Sequence, residues 1–177
     1  MPRTRQRGQS MVEFGILALL FTLIMFAIAD FGMLLNGWVA VSSAAREAGR
    51  RASMGVPVPQ IAESARAFAP IPGVPPSALK VVAQYCNDAQ CNTVARTFCM
   101  DGPPPPQYNI PSCSPMDATY PQTFTPGYTV RVWVIADTFE VITPLVRPFF
   151  GCSGSVPHCW VPIASSTTMR FEGPPPP

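Results

Sequence analysis

An α+β fold is predicted: a long N-terminal transmembrane helix, then a small disulfide-stapled domain with a short, mainly antiparallel sheet. Three observations predict it. An uncharged run, Phe14 to Ala29, lies near the N-terminus. A two-residue alternation that gives one aliphatic face appears only later, most clearly over Tyr128–Ala136. All six cysteines fall beyond residue 85.

The uncharged run founds the first element. Phe14 to Leu35 is interrupted only by Asp30; as a helix it is about 33 Å long, enough for a hydrocarbon core of ~30 Å. A secretory signal peptide is the rival reading, since Arg3, Arg5 and Arg7 precede the run. The run is longer than the roughly 7–15 residues of a signal's apolar region, and no obvious small-residue cleavage site precedes Ser42-Ser43-Ala44-Ala45. A retained helix is therefore expected, continuing to about Met54, where Gly55 and Pro57 end it. Two acids mark the span. Glu13 stands at its start, and Asp30, about 26 Å further along, is expected at the opposite interface within reach of water.

One stripe of this helix is built from small or polar residues. Gly15, Ala18, Thr22, Met25, Ala29, Gly32, Asn36, Val39 and Ser43 follow an alternating three-and-four spacing, while Leu19, Leu20, Phe21, Leu23, Ile24 and Phe26 lie off it. Small residues let helix backbones approach closely in lipid, so the stripe reads as a helix-packing face. A solitary anchor with incidental alanines and glycines is the plainer alternative. Beyond the span, Ala40, Ala44 and Ala48 continue a small stripe, with Arg46, Glu47, Arg50 and Arg51 on the wetter side.

Positive charge alone does not orient the helix, because Arg46, Arg50 and Arg51 balance the three leading arginines. The leading arginines adjoin the span and the cysteines lie beyond it, which places the N-terminus inside and the domain in an oxidising compartment.

The domain opens with a short helix over Pro59–Phe68, with Ile61, Ala62, Ala65 and Phe68 on one side. Pro70, Pro72, Pro75 and Pro76 make an extended connector to a strand over Leu79–Tyr85. In Tyr128–Ala136, Val130, Val132 and Val134 form one aliphatic face, alternating with Arg131, Trp133 and Ile135. Thr143-Pro144 opens a short turn that Pro148 curtails, and Ala164–Phe171 is the last strand. The sheet is expected near the top of the long helix.

Disulfides are the expected staples. Cys152 and Cys159 bracket a loop and are placed to pair across it, whereas Cys86, Cys91, Cys99 and Cys113 allow three pairings. Zinc is the alternative, since His158 adjoins Cys159, but the cysteine spacings lack the close pairs of zinc motifs. No metal and no cofactor is expected. Gly102 with Pro103–Pro106, and the tail from Gly173 to Pro177, are polyproline candidates, although disorder is the favoured reading of the tail.

Charge excludes one class of partner. The net charge of +2 comes from the leader; without its three arginines the chain stands at −1, and beyond Ala52 there are six basic against seven acidic residues. No nucleic-acid patch is visible. One histidine, no nucleophile motif and no phosphate-cradling glycine loop leave catalysis unsupported. The chain divides into a leader (1–8), a membrane and continuing helix (9–54), an exported domain (55–172) and a proline tail (173–177).

Arg7-Gly8-Gln9-Ser10-Met11-Val12-Glu13-Phe14, then Asp30-Phe31-Gly32, then Ala44-Ala45-Arg46-Glu47-Ala48-Gly49-Arg50, resemble the TadE-type minor pilins (pseudopilins) of the tight-adherence (Flp) branch of type IV pilus systems. Weaker echoes are Thr143-Pro144-Leu145 and Arg170-Phe171-Glu172. Two positions depart from the pattern: Phe14 stands where such processing sites often carry tyrosine, and Ala18-Leu19 stand where an early proline is common.

The resemblance implies cleavage between Gly8 and Gln9 by a membrane-embedded prepilin peptidase. Glycine there admits an extended backbone without side-chain obstruction. Cleavage would place Glu13 at position five and create a new amine at Gln9, and the resemblance implies that the Glu13 carboxylate pairs with a neighbour's N-terminal amine; Glu13 and Phe14 are thus the processing and subunit-pairing residues. Ser10-x-x-Glu13 also has a local reading, as a capping box that starts the helix. The implied role is non-enzymatic, in assembling Flp-type pili for surface adherence from a single-pass position in the bacterial inner membrane. Implied partners are the lipid bilayer, the peptidase, other pilin subunits and the assembly platform. An uncleaved membrane scaffold or surface adhesin domain is the alternative.

Overall fold

Helix α1 runs unbroken over Gln6–Ser53 in the computed structural model, which describes residues 6–71, 74–114, 127–141, 151–152 and 159–173. No proline falls within its 48 residues. It ends in a Schellman arrangement: Gly55 at φ 75° donates to the Ala52 carbonyl at 3.1 Å, and Val56 to that of Arg51 at 3.2 Å. Because α1 starts at Gln6, Ser10 is an interior helical residue, and the Ser10-x-x-Glu13 pattern is not what starts the helix.

The helix has two halves. Residues 10–29 are exposed or only partly covered. From Asp30 onward one face is buried, through Gly37, Val41, Ala44, Ala45, Ala48, Gly49 and Ala52. The three-and-four spacing keeps these residues on a single stripe, and their small size lets the domain lie close.

Helix α2, Val58–Phe68, turns back along α1 and buries Val58, Ile61, Ala62, Ser64 and Ala65. Phe68 departs from the expected apolar side and is 51% exposed. A 3₁₀ turn at Pro76–Ala78 leads into the sheet, built of β1 (Leu79–Cys86), β2 (Val94–Met100), β3 (Thr129–Glu140) and β4 (Trp160–Arg170). Their spatial order is β2-β1-β3-β4, and every neighbouring pair is antiparallel. β2 was not expected, β3 runs four residues past Ala136, and β4 starts four residues before Ala164.

Val81, Ala83 and Tyr85 of β1 and Val130, Val132 and Val134 of β3 join the buried stripe of α1 and α2 in one core. Tyr85 anchors its upper end, edge-to-face with Phe98 at 6.0 Å and with Phe171 at 6.1 Å. The opposite sheet face is also covered: Val82 and Ile135 are fully buried. The Tyr108 ring lies 6.0 Å from that of Trp133, whose indole N–H donates to Gln84 Oε1 at 2.9 Å. The alternation in β3 therefore separates two packed faces, the aliphatic one of the valines and a second that carries Trp133 and Ile135. The excursion carrying Tyr108 folds back over the sheet.

Three disulfides staple the domain: Cys86–Cys91, Cys99–Cys113 and Cys152–Cys159. The last is the pairing expected across the loop, and the first two settle which of the three alternatives holds. With every cysteine paired, none serves as a thiolate ligand. Cys99–Cys113 closes the proline-rich excursion, where Pro106–Tyr108 form a 3₁₀ turn instead of continuing a polyproline helix. Thr143-Pro144-Leu145, Pro148, His158 and the tail prolines lie outside the described residues.

Candidate functional site

The residues singled out in the sequence are spread along α1, not gathered into a cavity. Gly8 and Gln9 sit within the helical backbone, so cleavage there requires the first turn or two of α1 to unwind. Glu13 and Phe14 are both exposed, Phe14 at 73%. Of the small stripe, Gly15, Thr22, Met25, Ala29, Gly32, Asn36, Val39 and Ser43 are exposed and Ala18 is partly covered. A Cβ added at Gly15 or Gly32 would meet nothing within 4 Å.

This stripe is distinct from the one the domain covers. It runs one residue, about 100° of helical rotation, from the line of Asp30, Gly37, Val41, Ala44 and Ala48. The Thr22 hydroxyl donates to the Ala18 carbonyl at 2.8 Å, so its polarity is met within the helix. The stripe is thus exposed, with the Thr22 hydroxyl satisfied within the helix.

Asp30 departs from expectation. It is 8% exposed, buried by protein instead of standing at an interface open to water. It marks the level on α1 at which the domain begins.

Above that level the helix carries an ion cluster. The Glu47 carboxylate accepts from Arg50 Nε at 3.0 Å, Arg50 Nη2 at 2.9 Å and Arg51 Nε at 2.9 Å. The Arg50 and then the Arg51 guanidinium hold its pKa at about 2, against an ordinary value of 4.5. The spacings of three and four are the sequence signal for such a fork. Elsewhere Asp88 accepts from the backbone N–H groups of Asn92, Thr93 and Gln90, which lower its pKa, the Asn92 bond foremost. That closes the turn beside Cys86–Cys91 and is structural.

Chemically, α1 offers an exposed apolar half with one acid at its head, and a polar half bound to a domain. Among the described residues it is the one helix long and apolar enough to cross a membrane. Such an arrangement fits a single-pass membrane protein.

Residues 8–50 match the model of the family described as TadE-like protein. No curated protein and no solved structure matches the chain. The matched residues lie wholly within α1, from the glycine ahead of Glu13 to the arginine that clasps Glu47. Over that helix, about a quarter of its length, the chain is similar to the TadE-like proteins.

Proposed function

We propose that this chain is a non-enzymatic minor pilin that takes part in assembling Flp-type pili, processed after Gly8 by the membrane prepilin peptidase. TadE-like proteins are pilus-associated and in general not enzymes. The observation that carries the reading is the bare half of α1: residues 10–29 project apolar side chains beyond a domain that grips the helix only from Asp30. A subunit can exchange the lipid around that half for neighbouring helices, and the stripe through Gly15, Ala18, Thr22, Ala29 and Gly32 allows close approach. Cleavage would free an amine at Gln9, and a Glu13–amine pair neutralises two charges that are each expensive near hydrocarbon. The leading arginines hold the N-terminus in the cytoplasm, and the three disulfides belong on the periplasmic or extracellular side. The assembly platform and other pilins are the partners this topology serves.

A second reading, an uncleaved single-pass scaffold or surface adhesin domain, is favoured by one observation. α1 is helical from Gln6 and passes through Gly8–Gln9 without a break.

Complementation of a deletion strain separates a subunit from a passive anchor. Glu13→Ala is expected to leave the protein in the membrane at normal level while surface pili and adherence are lost. Full adherence with Glu13→Ala contradicts the subunit role.

A further inference from the structure

The lipid-like surface of α1 does not end where the uncharged run ends. Phe31, Leu35 and Trp38 remain 59%, 47% and 53% exposed. Beside them a groove of about 600 Å³ opens between Leu34, Leu35 and Trp38 on α1, Val161 and Pro162 at the start of β4, and Tyr108 from the proline-rich excursion. No charged residue lines it. At the same end of the domain Trp160 is 48% exposed.

Depth gives these residues their meaning. With Glu13 at the inner boundary, Asp30 lies about 26 Å and Trp38 about 38 Å along the helix at 1.5 Å per residue. A hydrocarbon core of ~30 Å, within a bilayer of ~40–45 Å, puts Asp30 inside the core and Trp38 at the outer edge of the headgroup layer. Asp30 is nevertheless 8% exposed. At that depth only protein separates a side chain from acyl chains, so the domain itself must reach down to the hydrocarbon edge. Tryptophan and tyrosine favour the layer just above, with the ring in the apolar zone and the N–H or O–H among headgroups.

We infer that the lower rim of the sheet domain is seated in the outer interface of the bilayer, and that the groove between α1 and β4 holds the glycerol end of a phospholipid acyl chain. The groove is continuous with the lipid-facing surface of α1, which is why lipid is its occupant. This rests on α1 spanning a bilayer and is independent of cleavage and of pilus assembly. It also gives the domain a fixed height: rising out of the membrane, it must first release a lipid and withdraw Trp38.

Depth-dependent quenching tests it on the full chain in phosphatidylethanolamine–phosphatidylglycerol vesicles. Native tryptophans are replaced by phenylalanine to leave one reporter at a time: Trp38 itself, Phe21→Trp within the span, or Tyr128→Trp at the far end of the domain. Lipids brominated near the glycerol are expected to quench Trp38 about twofold more than lipids brominated near the chain end, and Phe21→Trp is expected to show the opposite order. Tyr128→Trp is expected to respond to neither. Leu35→Glu, which charges the groove, should remove the shallow quenching of Trp38 while Phe21→Trp in the same background stays quenched. Quenching at Phe21→Trp with none at Trp38 overturns the inference and leaves the span intact. No quenching at Phe21→Trp overturns both. Trp38 quenching that vanishes as the protein-to-lipid ratio rises assigns the groove to a second copy, and that too overturns the inference.

Discussion

Gly49 sets how closely α1 can lie on β4. A Cβ there would overlap the Thr167 Cγ2 methyl, whereas one at Gly37 would stand 3.2 Å from Ile163 Cδ1, the far end of a longer side chain. Gly49→Ala is therefore expected to destabilise the fold by about 1–3 kcal/mol, with Thr167→Ser restoring part of the loss, while Gly37→Ala stays within about 0.5 kcal/mol. Thermal unfolding in detergent measures all three. Glu47 behaves differently because its contribution is electrostatic. A carboxyl whose folded pKa is about 2, against an ordinary 4.5, adds stability that is complete above about 4.5 and disappears as pH falls towards 2. Arg50 is 60% exposed, so solvent screening keeps the effect modest. Glu47→Gln is expected to lower the unfolding midpoint by a few degrees at pH 7 and to match wild type near pH 2. Of these residues, Glu47 and its arginines were legible as a helix-surface group from their spacing. The roles of Gly37 and Gly49 were not, since what they admit is a strand more than a hundred residues away.

Elements were legible in proportion to their periodicity. α1 announces itself through its uncharged run, and β3 through alternating valines, although both faces of β3 turn out to be packed. β2 carries no such signal: its burial runs partly covered, exposed, exposed, buried, buried and then twice partly covered, and it forms an edge of the sheet. Its stability comes from what joins it. Cys99 ties it to Cys113, and the Ser114 N–H donates to the Thr97 carbonyl at 2.6 Å, laying the excursion along the strand. Replacing Cys99 and Cys113 by serine is expected to cost about 2–4 kcal/mol and to raise hydrogen exchange over Val94–Met100 well before it rises in β3. Uniform exchange across the sheet would contradict that local role. β4 begins at Trp160 despite Pro162, which an edge strand accommodates because one side of its ladder is unpaired among the described residues.

The whole molecule is a helix whose two halves face different surroundings. The sheet domain covers the upper half from Asp30, and the lower half stands exposed or only partly covered. Sequence placed Asp30 at an open interface because distance along a helix is calculable from residue number, whereas burial by a distant segment is not. The family match runs through both halves and ends within α1, at residue 50. If the lower half is a pilin's assembly surface, the chain must first lose its arginine-rich leader. The N-terminus of the protein from membrane and sheared-surface fractions, read by mass spectrometry for wild type and Gly8→Val, decides this. A mature chain beginning at Gln9 in the wild type, lost in Gly8→Val, is the expected result; an intact Met1 terminus in cells with an active prepilin peptidase would contradict processing and leave an uncleaved anchor.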